Sequence, residues 1–162
     1  MQDVAGLSAS FFAWVQSSRV ATAIAQSLPL TAGLSAIHVI GFTAIMGAAL
    51  VSNLRLLGVL FPQQPVRDIT RPAGRAIALG LALSVATGLF LFVARASAAS
   101  ESGIFQIKML LIVAAAGFQF GFHRRVTGRD TSRRALLRVT GAVGLALWFG
   151  VALAACAFIL LE

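Results

Sequence analysis

The sequence predicts an all-α integral membrane protein, a four-transmembrane-helix bundle preceded by a short N-terminal interfacial amphipathic helix. Three observations predict it. The chain is 59% hydrophobic and 11% charged over 162 residues, with a mean hydropathy of +0.91, against roughly 45–50% apolar residues in soluble domains. The apolar residues gather into four runs, each matching the about 20 residues a helix needs to cross a hydrocarbon core. No run alternates as a barrel strand does, and an open sheet cannot satisfy its backbone in lipid.

Residues 1–27 form the first unit. A secretory signal begins with positive charge and ends at a small-residue cleavage site, whereas the first cation here is Arg19 and no long apolar core precedes it. Leu7, Phe11, Trp14 and Val15 share one helical face, with Ser10, Gln16 and Ser17 elsewhere, the pattern of a helix lying in the membrane interface.

Residues 28–162 form the four-helix transmembrane domain. The spans run from about Leu30 to Leu60, Ala76 to Ala94, Ile104 to Phe122 and Val139 to Leu161. Pro62 and Pro65 follow the first, Pro72 precedes the second, residues 100–103 separate the second from the third, and an Arg-rich turn precedes the fourth, all expected punctuation. The first run is longer than a crossing requires. Its last turns, with Asn53 and Arg55, are expected to leave the hydrocarbon, Arg55 snorkelling to the headgroups.

The net charge of +8 does not imply nucleic acid, because of where the cations sit. Arg55, Arg67, Arg71 and Arg75 flank the first loop, and Arg124, Arg125, Arg129, Arg133, Arg134 and Arg138 flank the third. Arg19, Arg95 and Lys108 fall on the opposite side. Short loops rich in Lys and Arg stay in the cytoplasm, which predicts a bacterial inner membrane protein with both termini periplasmic. The basic loops set topology and face anionic lipid headgroups or a partner.

The chemistry available inside the membrane is narrow. The single cysteine, Cys156, lies among alanines in the fourth span and reads as packing. The five acidic residues all lie outside the spans, which argues against proton-coupled transport through a buried carboxylate. Zinc sites and thiol catalysis lack partners, and there is no phosphate-binding glycine loop, carboxylate pair or serine triad. What remains is His38, Lys108, Gln119, His123 and several hydroxyls.

His38 lies about 12 Å down the first span, too deep for an imidazole to snorkel; an ionisable residue within a membrane is by default functional, the alternative being a packing histidine satisfied by a hydroxyl or backbone carbonyl of a neighbouring helix. A proton relay needs carboxylates to continue it, and a bare metal ion needs three or four ligands. Haem needs one or two axial ligands and a slot between helices. Small residues suit such a slot: Gly41 one turn beyond His38, Gly80, Ser84 and Gly88 in the second span, and Gly117 with Gly121 in the third; close helix packing explains the same spacings. Lys108 is expected about 6 Å into the third span, near the level of His38, and His123 about 28 Å in, so the two histidines are about 16 Å apart in depth and cannot ligate one haem. Met109 rivals Lys108 for the sixth position, as a thioether at nearly the same depth; the alternatives are core filler for Met109 and a cation snorkelling outward for Lys108. His123 is read either as a second ligand held by Gln119 or as an interface residue beside Arg124 and Arg125.

The segments HVIGFTAIMGAALVSNLRLLG and FQIKMLLIVAAAGFQFGFHRR resemble the four-helix core shared by HemJ-type protoporphyrinogen oxidases and CopD-type copper-resistance membrane proteins. They are more similar still to small bacterial membrane proteins of unassigned function with the same histidine, LRLLG segment and FHRR ending. The resemblance covers about Leu30 to Leu161. It implies haem b as cofactor, His38 as axial ligand, Lys108 as second ligand or partner of a propionate or substrate, and Arg55 as supporting charge. The sequence departs from the HemJ-type pattern in having Ile45 near the place of a tryptophan and no tyrosine, which bears on the porphyrinogen-oxidising activity more than on the haem.

Three readings follow. The first is a cytochrome b-like haem protein in electron transfer, alone or in a homo- or hetero-oligomer, with quinone or a redox protein as partner. The second is a haem-free accessory or assembly subunit. The third is a small copper or metabolite permease lined by His38, Met46 and Met109, for which four short helices leave little room.

Overall fold

The computed structural model describes residues 10–128 and 134–161. Within them the chain is helical, with no strand. A helical segment over residues 10–16 (α1) is followed by α2 (Arg19–Gln26) and by α3 (Leu28–Leu57). Then come α4 (Val66–Ala94), a short α5 (Ala96–Glu101), α6 (Gly103–Gly117), a π-helical turn (Phe118–His123), α7 (Arg124–Gly128) and α8 (Arg134–Leu161). Four of these helices are long and apolar enough to cross a membrane: α3, α4, the α6 to α7 unit over Gly103–Thr127, and α8. This is a multi-pass membrane protein.

The ends of the elements follow from local chemistry. Ser18 caps α2 by accepting the Ala21 amide at 3.2 Å, and Ser102 caps α6 by accepting the Phe105 amide at 2.9 Å. Gly58 ends α3 in the left-handed conformation, φ 82°, that only glycine adopts without cost. The Arg55 guanidinium donates to the Gln64 carbonyl. Arg55 therefore clasps the loop after α3 instead of reaching freely to headgroups.

Hydropathy located the crossings and underestimated the helices. α4 begins ahead of Ala76, at Val66, and runs through Pro72, while α8 starts at Arg134 and not at Val139. Lipid dictates only the apolar part of a helix; the backbone bonds continue into the interface.

α3 is the central helix, packing most extensively on α4 and next on α8, while α6 packs on α8. The buried core joins Ile45 and Ala49 of α3, Ile77 of α4, Ala115 of α6, and Trp148 and Val151 of α8. Two glycine notches set the crossings. Gly41 and Gly80 face one another across α3 and α4, and a Cβ on Gly80 would lie 2.7 Å from the Gly41 carbonyl. Gly141 and Gly144 of α8 admit the backbone of Asn53 and its side-chain amide, respectively. Asn53 is fully buried against α8, a packing role its expected place near the end of the span did not indicate.

The N-terminal segment folds as two short helices, one more than expected, and both dock on the bundle. Phe12 meets the ring of Phe92 edge-on at 6.1 Å, Gln16 accepts the Ser97 amide at 3.0 Å, and Thr31 donates to the Ile24 carbonyl at 2.6 Å across the α2/α3 joint. Of the expected apolar face, Phe11 and Trp14 are exposed, Val15 is half-buried, and Leu7 lies outside the described residues.

Candidate functional site

His38 sits where α3 meets α4, half-buried. Its Nδ1 lies 2.9 Å from the Ser84 carbonyl oxygen and 3.2 Å from the Thr87 hydroxyl. A carbonyl only accepts, so the neutral ring carries its proton on Nδ1 and donates it to α4. The lone pair is then on Nε2, which has no hydrogen-bond partner among the described residues. Gly88 supplies the space: a Cβ there would stand 3.0 Å from Cε1 and 3.3 Å from Nδ1. Ser84 returns a bond from its hydroxyl to the His38 carbonyl at 3.3 Å. The imidazole is thus fixed in tautomer and orientation by its neighbour helix, as in ligating histidines, whose second nitrogen donates to a carbonyl or carboxylate.

The packing around His38 differs from that at the other end of the bundle. On α3 the described residues before Gly41 are all at least half-exposed or intermediate, and buried positions begin at Gly41. On α6 the only buried residue is Ala115, and on α8 none lies beyond Val151. α4 and α6 are not among the closely packed helix pairs. They meet at the His38 end through the stacked rings of Phe92 and Phe105, 5.4 Å apart. At this end burial is carried by α4, α2 and α5, where Ser84, Thr87, Ala94, Ala21, Ile24, Ala96 and Ala99 are buried, while the facing part of α6 buries nothing before Ala115.

Lys108 lies at the same end, within electrostatic reach of the His38 ring. Its ammonium sits over the rings of Phe105 and Phe158, 5.8 Å and 5.1 Å from their centroids, attracted to their negative faces. Met109, by contrast, is 44% exposed on the outside of the bundle. Gly41 and Gly88 belong to the His38 site through the α3/α4 contact. Arg55 does not: it lies on the same helix 17 residues further on, about 25 Å along the axis.

His123 belongs to a separate cluster at the basic end. It is only 2% exposed, facing other helices of the bundle and not its surface. Its Nε2 lies 3.3 Å from the Ser52 hydroxyl and its Nδ1 3.3 Å from the Gln119 side-chain nitrogen. Both ring nitrogens are engaged. The π-helical turn, closed by bonds one residue longer than those of an α-helix, brings Gln119 and His123 inward together. Ser52 is 14 residues after His38, so the two histidines are about 21 Å apart along α3. Among the described residues no group of three or more His, Cys, Asp or Glu side chains is placed to hold a metal ion.

Sequence reading singled out the two histidines and the partner type for His38, a hydroxyl or backbone carbonyl of a neighbouring helix, but not the partners themselves: Ser84 and Thr87 for His38, and Ser52 for His123. The only signal was a hydroxyl series, Ser84 with Thr87 three residues later, on the small-residue face of α4.

The family is established by the match of residues 11–160 to the profile of DUF6644, a family of unknown function. The chain belongs to this family. Neither a curated protein nor a solved structure matches it, so the further likeness to HemJ-type and CopD-type proteins is not among the matches.

Proposed function

We propose that this DUF6644 protein is a cytochrome b-like membrane protein that binds haem b through His38 and serves in electron transfer or redox chemistry. It acts as a subunit of a homo- or hetero-oligomer in the bacterial inner membrane, its termini periplasmic. The observation that carries the reading is the His38 ring: Nδ1 is tied to the Ser84 carbonyl and Nε2 is left with its lone pair. That is the donor a haem iron takes from a protein.

The donor set fits the group. His38 would hold the iron from α3, Gly88 keeps a side chain off its ring, and Gly41 lets Ser84 approach α3. Lys108, a cation in the same half of the bundle, would neutralise a propionate or complete the axial pair. The apolar stretch of α6 before Ala115, which buries no residue within the chain, supports a surface for the flat apolar ring. Haem b held there supplies a one-electron Fe(III)/Fe(II) couple. The residues around it do the rest: Ser84 and Thr87 hold the ring plane, α1 and α2 close the end of the bundle against water, and Phe92 with Phe105 separates the site from the terminal surface. His123, with both nitrogens bonded within the protein, is assigned to structure, which supports one haem per chain. The electron partner is a quinone or a redox protein.

The test is pigment content. Wild-type protein purified from cells with ample haem supply should carry about one haem b per chain, lost in His38→Ala and retained in His123→Ala. Colourless wild-type protein would overturn the reading and favour a haem-free accessory subunit, in which the His38 bonds serve only to lock α3 on α4.

A further inference from the structure

The end of the bundle opposite His38 carries a charged surface that no internal contact explains. Arg67, Arg71 and Arg75 follow one another at four-residue spacing on the exposed face of α4, Arg124 and Arg125 form the start of α7, and Arg134 and Arg138 lie on the first turns of α8. All seven are exposed, and none is paired with a carboxylate or any other group among the described residues. α7 packs against both α4 and α8, so the three sets adjoin in one basic rim. Asp68 is the only acidic residue described at this end.

Depth identifies what the rim meets. Each arginine set stands where an apolar span begins or ends, at the level of the phosphates of a bilayer. On α4 the column Arg71, Arg75 leads in one more turn to Leu79, which is 73% exposed. Phe122 directly precedes Arg124 by two residues and is 47% exposed, and Val139, 59% exposed, follows Arg138. Cation next to outward apolar surface, repeated on three elements, is the complement of a phospholipid: phosphate at the arginines and acyl chain on the apolar column. On α4 and on α8 successive arginines are about 6 Å apart along the axis, Arg124 and Arg125 of α7 are adjacent, and guanidinium forks grip phosphate oxygens bidentately.

We infer that this rim is a binding surface for an anionic phospholipid whose headgroup carries two phosphates, of the diphosphatidylglycerol class. A headgroup with two linked phosphates engages two neighbouring arginine sets at once, and the second contact is then intramolecular. A headgroup with one phosphate engages a single set. The surface is independent of the haem reading and stands or falls separately.

The test uses delipidated full-length protein in neutral detergent, with thermal unfolding followed by tryptophan fluorescence. Diphosphatidylglycerol should raise the midpoint at a concentration at least several-fold below that needed of phosphatidylglycerol at matched phosphate, and phosphatidylethanolamine should leave it unchanged. The response should disappear in the R71Q/R75Q/R124Q/R125Q variant and persist in part when the same positions are Lys. Should the Gln variant fail to fold, the wild type decides: its response to diphosphatidylglycerol must shrink as salt rises from about 0.05 to 0.5 M, as exposed charge contacts do. Equal stabilisation by the two anionic lipids at matched phosphate, a response unchanged in the Gln variant, or a salt-independent response would each overturn the proposal. So would an absence of any lipid response with an acidic protein retained on the rim.

Discussion

A single hydrogen bond decides the chemistry of His38. The Ser84 carbonyl takes the Nδ1 proton, and no side-chain substitution can remove a backbone acceptor. Thr87→Val should therefore shift the absorption bands and reduction potential modestly without releasing pigment. Gly88→Val is the stronger probe. Its branched side chain must enter the space 3.0 Å from Cε1, so it should turn the imidazole and lower haem retention several-fold while the helical circular dichroism is kept. At the basic end the roles invert: His123→Ala leaves Gln119 and Ser52 without their partner in a fully buried site, an expected loss of about 1–3 kcal/mol. Equilibrium unfolding in mixed detergent reads that loss, and the optical spectrum should not change. At this scale the sequence was half legible. A buried imidazole announces itself by being too deep to snorkel, but its acceptor is a main-chain atom 46 residues away, which no side-chain pattern reveals.

The helices are held together at glycine notches, and these make opposed predictions. A Cβ on Gly80 would meet Gly41 and Ile45 at 2.7–2.9 Å, whereas Gly47 and Gly74 have nothing within 4 Å. Gly80→Ala should therefore cost about 1–3 kcal/mol through overpacking. Gly47→Ala should be neutral or stabilising by up to about 1 kcal/mol, since alanine is the better helix former. Gly144→Ala runs into the Asn53 side chain, and the damage should be partly relieved in Asn53→Ala/Gly144→Ala, a coupling that a double-mutant cycle in the same unfolding assay measures. The spacing of Gly80, Ser84 and Gly88 showed in the sequence that α4 has a close-packed face. The π-helical turn at Phe118–His123 left no local mark, because the burial of Gln119 and His123 together is a tertiary demand. Nor did Asn53 announce its burial, since its acceptor and its notch lie in other turns and helices.

Across the whole molecule the four spans were legible because lipid imposes a length and an apolar composition on any helix that crosses it. The gradient of packing was not. Along α3 an equally apolar run buries nothing before Gly41 and then buries Ile45, Ala49, Ser52, Asn53 and Leu56, and α6 buries nothing before Ala115. Hydrogen exchange of the protein in nanodiscs, stripped of pigment, should accordingly show weaker protection of the amides in residues 28–38 and 103–110 than in 41–57 and 112–123. Uniform protection along α3 would mean that the two halves are equally packed. Bound haem should narrow the difference, because the ligand would cover the parts of α3 and α6 that the polypeptide leaves exposed.

The central claim is that His38 Nε2 ligates haem iron, and the most direct measurement is chemical rescue. His38→Gly removes the ring and leaves space bounded by Gly88 and Thr87. Purified with haem, this variant should lack the wild-type Soret and α bands, and millimolar imidazole should restore a low-spin spectrum close to that of the wild type. The same bands present in His38→Gly without imidazole, or no response to imidazole with the fold intact, would contradict the account.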